Sequence, residues 1–219
     1  MKLSYSLNSA PNQPSQKRAE IVTSVIRQRR SMYADAYDKK EISPQQLEDI
    51  LINATWAPTH KMTEPWRFIV LSAEQQSDYG RYMAEYYRDH YPNLSPQERQ
   101  LKFEYLRSYP LRAAAIIAII FQPSTRITLP EWEEIAAISS AVQNMALTCT
   151  AMGLGSYWAS GGSAIDYVSR FLHLQREQSF GLFFIGHPAT GKTPAKKRRT
   201  PISEKVTGFT PHPLTINPQ

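Results

Sequence analysis

Two things are scarce in this sequence: cysteine and long apolar runs. Cys149 is the only cysteine among 219 residues, so an internal disulfide and a cysteine-cluster metal site are both excluded. The longest apolar run, residues 113–121, is far shorter than the roughly 20 residues of a membrane-spanning helix. The N-terminus lacks the charged start and the following apolar stretch that would indicate a secretory signal. We therefore expect a cytoplasmic protein without a membrane partner.

Several nucleotide-binding and catalytic motifs are also missing. No Gly-x-Gly-x-x-Gly follows an expected strand, because Gly153-Leu154-Gly155 follows a helix, and residues 186–192 lack the P-loop spacing. The five histidines have no metal-ligand spacing. The sequence also lacks the Ser-His-Asp order and the paired-carboxylate motif that would indicate a hydrolase. The sequence thus gives no support for a Rossmann domain, a metal site or triad chemistry.

The charge is mainly of one sign. The formal net charge is +6, and residues 196–199 (KKRR) form a cationic run. A basic surface aids solubility, but it also suits an anionic ligand, either a phosphate-bearing cofactor or nucleic acid. Because neither a recognition fold nor interleaved aromatics accompany the run, nucleic acid is not an expected partner.

The spacing of apolar residues predicts six helices and four strands. The helices are expected at residues 17–30, 44–54, 74–90, 96–108, 130–152 and 164–173, and the strands at 66–71, 113–121, 157–159 and 181–186. Ser43 and Ser95 each begin a capping-box pattern. Since helices and strands alternate without a regular βαβ repeat, we predict an α+β fold instead of a doubly wound sheet.

A single domain is expected over residues 17–219. Residues 1–16 are dominated by polar residues and proline and are predicted to be loose. The prolines of residues 188–219 exclude one long helix, and so long a structureless tail is unusual inside a compact domain. We therefore expect this tail to lie over a partner subunit. The small residues within residues 130–152 favour a close approach of other helices or a dimer seam.

Four segments carry candidate binding residues, and each also has an ordinary structural interpretation. Residues 29–31 (RRS) end a helix, where cations are favourable, but guanidinium groups and a hydroxyl also suit a phosphate. Residues 57–66 (APTHKMTEPW) form a polar turn whose histidine is either a surface residue or a hydrogen-bonding group in a dry pocket. Residues 158–161 (WASG) leave a strand beside glycines, which permits close approach to a flat ligand. Residues 196–199 are either solvated or the second half of a phosphate site.

The order and spacing of these segments resemble the nitroreductase family of FMN-dependent oxidoreductases over residues 20–205. The similarity is closest to small single-domain members whose first loop contains Ala-Pro-x-His-Lys-x-x-x-Pro-Trp. The resemblance implies a central mixed, mostly antiparallel sheet flanked by helices, and an intertwined homodimer with a C-terminal arm and interfacial FMN. It also implies that NAD(P)H delivers hydride to flavin N5 and that a small nitroaromatic, quinone or similar molecule then accepts it.

The resemblance further implies cofactor contacts at the matching positions. These are Arg29, Arg30 and Ser31 at the phosphate and ring; Thr59 and His60 in a loop from the other subunit; Trp158, Ala159 and Ser160 under the isoalloxazine; Lys197 and Arg199 at the phosphate; and Thr148 beside the flavin. His60 is the one possible acid or base, since the flavin carries the chemistry.

Three departures from the family pattern concern the surroundings of the flavin. Tyr33 stands where members often have Arg or Lys, and Met62 and Glu64 stand where many have Asn and Gln. A cation near N1–C2=O stabilises the reduced ring, and Arg29 is the obvious substitute. Glu64 would oppose reduction unless it points away or is paired. The alternatives are a flavin-binding sensor or carrier without efficient turnover and, on charge alone, a nucleic-acid-binding domain.

Overall fold

The computed structural model describes residues 15–91, 93–172, 174, 176–192 and 198–208, and its elements agree closely with the predicted ones. The helices are α1 (Ser15–Gln28), α2 (Pro44–Thr55), α3 (Ala73–Tyr86), α4 (Pro96–Ser108), α5 (Glu131–Ala151) and α6 (Gly162–Phe171). The strands are β1 (Tyr37–Asp38), β2 (Trp66–Val70), β3 (Ala115–Phe121), β4 (Gly155–Ala159) and β5 (Gln178–Pro188). The predicted α+β class is confirmed, and the short strand β1 is the addition.

A five-stranded sheet forms the centre of the fold. Its strands follow the order β1-β5-β3-β2, and β4 also pairs with β5. All of these pairs are antiparallel. An isolated parallel bridge joins Ser31 to Ser156, so the sheet is mixed but mostly antiparallel, as predicted.

Helices cover both faces of the sheet, as the continuous apolar character of β3 predicted. All seven residues of β3 are buried, and successive side chains point to opposite faces. Ile116 and Ile120 join the core under α3 and α6, whereas Ile117 and Ile119 join the core under α2 and α5. The sheet is therefore a rigid support with two separate apolar cores.

Local sequence signals fix the ends of several helices. The Ser43 hydroxyl accepts a hydrogen bond from the Gln46 N–H (3.1 Å), and the Gln46 side chain accepts from the Ser43 N–H (3.0 Å), which completes the predicted capping box. Ser95 caps α4 in the same way. Beyond α5, Gly153 has a φ of +72°, the left-handed conformation expected where a glycine ends a helix.

Two features are absent from the described part of the chain. None of its helices is both long and apolar enough to cross a membrane. Nor does it contain a group of three or more His, Cys, Asp or Glu side chains placed to hold a metal ion.

Cys149 is a buried thiol on α5. Burial raises its pKa from the ordinary 9.0 to about 12, so the thiolate fraction near neutral pH falls about 1000-fold. Because the thiolate is the reactive form, we expect DTNB to modify the native protein about 100-fold or more slowly than the urea-unfolded protein. Stopped-flow absorbance measures both rates, and equal rates would contradict the burial of this thiol.

Candidate functional site

A pocket of about 260 Å³ lies between the segment after α1, the middle of α5 and the sheet. Arg29 and Ser31 line it from the first of these, and Tyr157, Trp158 and Phe183 line it from β4 and β5. Its lining from α5 is Ser139, Val142, Gln143 and Ala146. Aromatic rings and a helix face thus form a largely apolar pocket that has a cation and a hydroxyl at one side.

Main-chain hydrogen bonds hold the Arg29–Ser31 segment against β4. The Arg29 N–H still donates to the Val25 carbonyl (3.0 Å), as the last turn of a helix would. Three residues later the Met32 N–H donates to the Ser156 carbonyl (3.0 Å), and the Tyr37 hydroxyl donates to the Met32 carbonyl (2.6 Å). These bonds fix the direction of the chain where it passes the pocket. The Arg29 and Ser31 side chains therefore have defined positions at the pocket.

Arg29 lies within a cluster of like charges. Partial burial, and then the charges of Arg199 and Arg30, lower the pKa of the Arg29 guanidinium from its ordinary value. Within the described residues, none of these three arginines forms an ion pair with a carboxylate. Mutual repulsion without a compensating carboxylate is the electrostatic state expected of a site for an anion such as phosphate. The structure thus brings the first cationic segment and the tail cation Arg199 together.

The Arg30 side chain contacts the main chain at the end of α1. Its Nη1 donates to the carbonyls of Arg27 (2.6 Å) and Arg29 (2.8 Å). It therefore stabilises the C-terminal end of α1, which is the ordinary interpretation of a cation at this position. Lys197, the other predicted tail cation, lies outside the described residues.

The strand exit at Trp158 is held by a hydrogen bond across the sheet. The Trp158 indole N–H donates to the Phe180 carbonyl (2.6 Å), which fixes the ring at the pocket. Ala159 pairs with Leu182 at the end of β4, and Ser160 follows as an exposed residue. Gly181 has a φ of +87°, and a Cβ there would lie 2.2 Å from the Ala159 carbonyl oxygen, so a glycine is required. Ala159 and Ser160 follow the pocket residue Trp158 in the sequence, but they are not among the residues that line the pocket.

The loop that contains Thr59 and His60 is strained. Lys61, Met62 and Glu64 have φ values of +50°, +54° and +47°, a conformation that costs energy in residues other than glycine. The Thr59 hydroxyl holds the loop by accepting from the Glu64 N–H (3.1 Å). It also shares a 3.0 Å hydrogen bond with the Thr63 hydroxyl. Such strain in a loop is typical of a functional segment that must keep one shape.

His60 lies outside the pocket of its own chain and contacts α5. Its Nδ1 forms a hydrogen bond with the Glu133 carboxylate, and the imidazole remains about half exposed. A carboxylate on Nδ1 fixes the orientation of the ring and leaves Nε2 available to another molecule. Glu133 is a partner of His60 that the sequence did not indicate.

Thr148 also faces away from the pocket. Its hydroxyl donates to the Asn144 carbonyl (2.9 Å) and accepts from the Asn53 amide (3.1 Å). It lines a second, apolar groove of about 410 Å³ between α1 and α5. The structure therefore does not bring Thr148 together with Arg29 and Ser31.

Sequence reasoning missed the lining that α5 provides. Ser139, Gln143 and Ala146 follow each other at helical spacing and share one face. Small and polar residues on one stripe of an otherwise apolar helix are the signal that would have indicated this face. Gln143 is of particular interest, because its side-chain amide makes no hydrogen bond within the described residues.

Comparisons with known proteins identify the family of this chain. Residues 26–187 match the model of the nitroreductase family. YfhC of Bacillus subtilis, provisionally named as an NAD(P)H nitroreductase, is 27% identical over 190 residues, which cover 85% of this chain and 93% of that protein.

Two solved nitroreductase structures also match the fold of this chain. A nitroreductase-like family protein from Bacillus cereus is 26% identical, with a TM-score of 0.69 over 92% of this chain and 99% of its own. A Desulfovibrio desulfuricans structure, provisionally named as a nitroreductase and in complex with FMN, is 26% identical, with a TM-score of 0.64 over 88% of this chain and 98% of its own. The resemblance inferred from the four segments is confirmed, and the chain belongs to the nitroreductase family.

Proposed function

We propose that this protein is an FMN-dependent oxidoreductase that passes hydride from NAD(P)H to a small acceptor such as a nitroaromatic or a quinone. The observation that carries the proposal is the cluster of Arg29 and Arg199 without carboxylate partners, beside a pocket with an aromatic floor. The provisional name of YfhC supports the reductant, and the FMN-bound structure from Desulfovibrio desulfuricans supports the cofactor.

The residues at the pocket suit FMN. Arg29 and Arg199 would neutralise the phosphate, and the Ser31 hydroxyl would add a neutral hydrogen bond. The rings of Trp158 and Phe183, which belong to the core under α5, would lie near the flat cofactor, where the Gln143 amide would bond to a heteroatom at its edge. The chemistry that FMN supplies when bound is reversible two-electron reduction.

The pocket of one chain is too small for the complete cofactor and a substrate. Its 260 Å³ is below the ~300–1000 Å³ that is usual for small-molecule sites. We infer that a second copy completes it, in a homodimer with two sites at the interface. The loop with Thr59 and His60 lies outside the pocket of its own chain and would enter the partner's pocket, and the C-terminal arm would extend over the partner.

In this arrangement, the His60 Nε2 atom would accept a hydrogen bond in the neutral ring, whose single N–H is donated from Nδ1 to Glu133, and would donate a hydrogen bond or a proton only in the imidazolium form. Glu133 acts through His60 as a positioning residue, because it holds Nδ1. The loop strain at Lys61 and Met62 would keep the imidazole in one place and thereby reduce its reorganisation during turnover.

A flavin-binding sensor or carrier is the second candidate, and Glu64 is the observation in its favour. The Glu64 side chain is exposed and forms no ion pair within the described residues. Placed next to a partner's flavin, this unneutralised carboxylate would oppose formation of the reduced anion and lower the potential. Slow reduction by NAD(P)H would then follow even though FMN binds.

The absorption spectrum of the purified protein is the first test. We expect the two visible bands of oxidised flavin, release of FMN on heating, and steady-state oxidation of NADH or NADPH when menadione or nitrofurazone is added. Bound FMN without oxidation of either nucleotide would favour the sensor or carrier. A colourless protein that takes up no added FMN would contradict both functions.

A further inference from the structure

A second pocket, of about 540 Å³, lies between α3 and α4. It shares none of its lining residues with the pocket beside Arg29. Its lining includes three aromatic residues and three cations: Tyr87, Tyr91 and Phe103, and Arg88, Arg99 and Lys102. The buried residues Ala84 and Leu106 close its inner end. This volume is in the usual range for a small-molecule site.

The cations and the aromatic rings of this pocket are interleaved. The Lys102 ammonium lies 5.1 Å from the ring centroid of Tyr91 and 4.9 Å from that of Tyr105. The Arg88 guanidinium lies 5.6 Å from the centroid of Phe103. Contacts of this kind hold long flexible side chains over the rings, and they leave the hydrogen-bond donors of the cations available.

The acidic residues nearby do not neutralise the pocket. Glu98 accepts from the Ser95 N–H in the capping box of α4, Glu104 pairs with Arg107, and Glu85 pairs with Arg88. Within the described residues, Arg99 and Lys102 have no ion-pair partner. Among the described side chains, Arg99 and Lys102 thus bring two positive charges without an ion-pair partner to a pocket with aromatic walls.

We propose that this pocket binds a planar aromatic anion, with its ring against Tyr91 and Phe103 and its anionic group between Arg99 and Lys102. The apolar inner end and the three rings favour a flat ring, because aromatic faces stack on one another. The two cations favour a negative group, because neither has a carboxylate partner within the described residues. This site is separate from the proposed flavin function. An aryl carboxylate and the base and phosphate of an adenine nucleotide share this chemistry.

Isothermal titration calorimetry with 2-naphthoate and with 5′-AMP tests the proposal. We expect at least one of the two to bind the full-length protein and the Arg99→Gln/Lys102→Gln variant to bind it about 30-fold more weakly. The matched control is Arg81→Gln/Arg107→Gln, which removes the same charge from the outer surfaces of α3 and α4 and should leave the affinity unchanged. The ligand that binds identifies the source of the anion.

A second pair of measurements separates recognition from loss of fold. The uncharged 2-naphthamide should bind the unmodified protein about 10-fold more weakly than 2-naphthoate if the aryl carboxylate is the ligand. FMN content should be the same in all of the variants, since the two pockets share no residue, and each variant should still unfold in one cooperative transition. No binding of either anion, or equal binding by the two double variants, would overturn the proposal.

Discussion

FMN should bind about 30-fold more weakly to the Arg29→Gln variant than to the unmodified protein. The glutamine keeps a polar side chain at the end of α1 but loses a charge-assisted hydrogen bond to phosphate, which is worth ~2 kcal/mol. In the free protein the same change removes a partly buried charge and its repulsion from Arg199 and Arg30, which together lower the pKa of Arg29. The variant without FMN should therefore melt at the same or a slightly higher temperature, and only the stabilisation by FMN should shrink.

Arg27→Gln is the matched control for this variant. Arg27 lies two residues earlier, in the last turn of α1, and does not line the pocket. Titration of the apoprotein by quenching of FMN fluorescence gives both dissociation constants. Equal affinities in the two variants would show that Arg29 contributes only to the general positive field, and the proposed phosphate site would then be wrong.

The elements were predictable because their signals are local. The capping residues at Ser43 and Ser95, the glycine after α5 and the apolar run of β3 each act within one or two turns of chain. Strand β1 has only two residues, and it forms because Tyr37 reaches Pro188, far away in the sequence. No local pattern predicts such a pair, since its stability comes entirely from the partner strand.

The candidate site was predictable only in part, for a similar reason. Motif spacing indicated Arg29, Ser31 and Trp158, and the structure places all three at one pocket. The same motif could not distinguish Arg29 from Arg30, because nearby carbonyls that only the folded helix end provides decide the orientation of Arg30. The contact between His60 and Glu133 joins residues that lie 73 positions apart, so only the fold shows it.

Val22→Asp should dissociate the proposed homodimer. α1 has no buried residue, and it exposes Ile21, Val22 and Ile26 by 52%, 57% and 50% of their surface. These side chains line the apolar groove beside α5, which is a patch that a soluble protein normally covers. The aspartate appears twice in a symmetric dimer. If burying each copy costs ~2 kcal/mol of association free energy, the dimer dissociates about 1000-fold more readily.

Ser24→Asp is the matched control, because its side chain is exposed on the opposite side of α1, where it hydrogen-bonds to Gln28. Sedimentation velocity should find Val22→Asp as a monomer and Ser24→Asp as a dimer at the same concentration. On the proposal that one chain provides only part of the pocket, the monomer should also lose its FMN. If Val22→Asp remained a dimer with FMN bound, the second copy would have to contact the chain elsewhere, and the groove between α1 and α5 would not be the seam. If the variant became a monomer that retained FMN, the pocket of one chain would be sufficient for the cofactor, and the inference that a partner completes the site would be wrong.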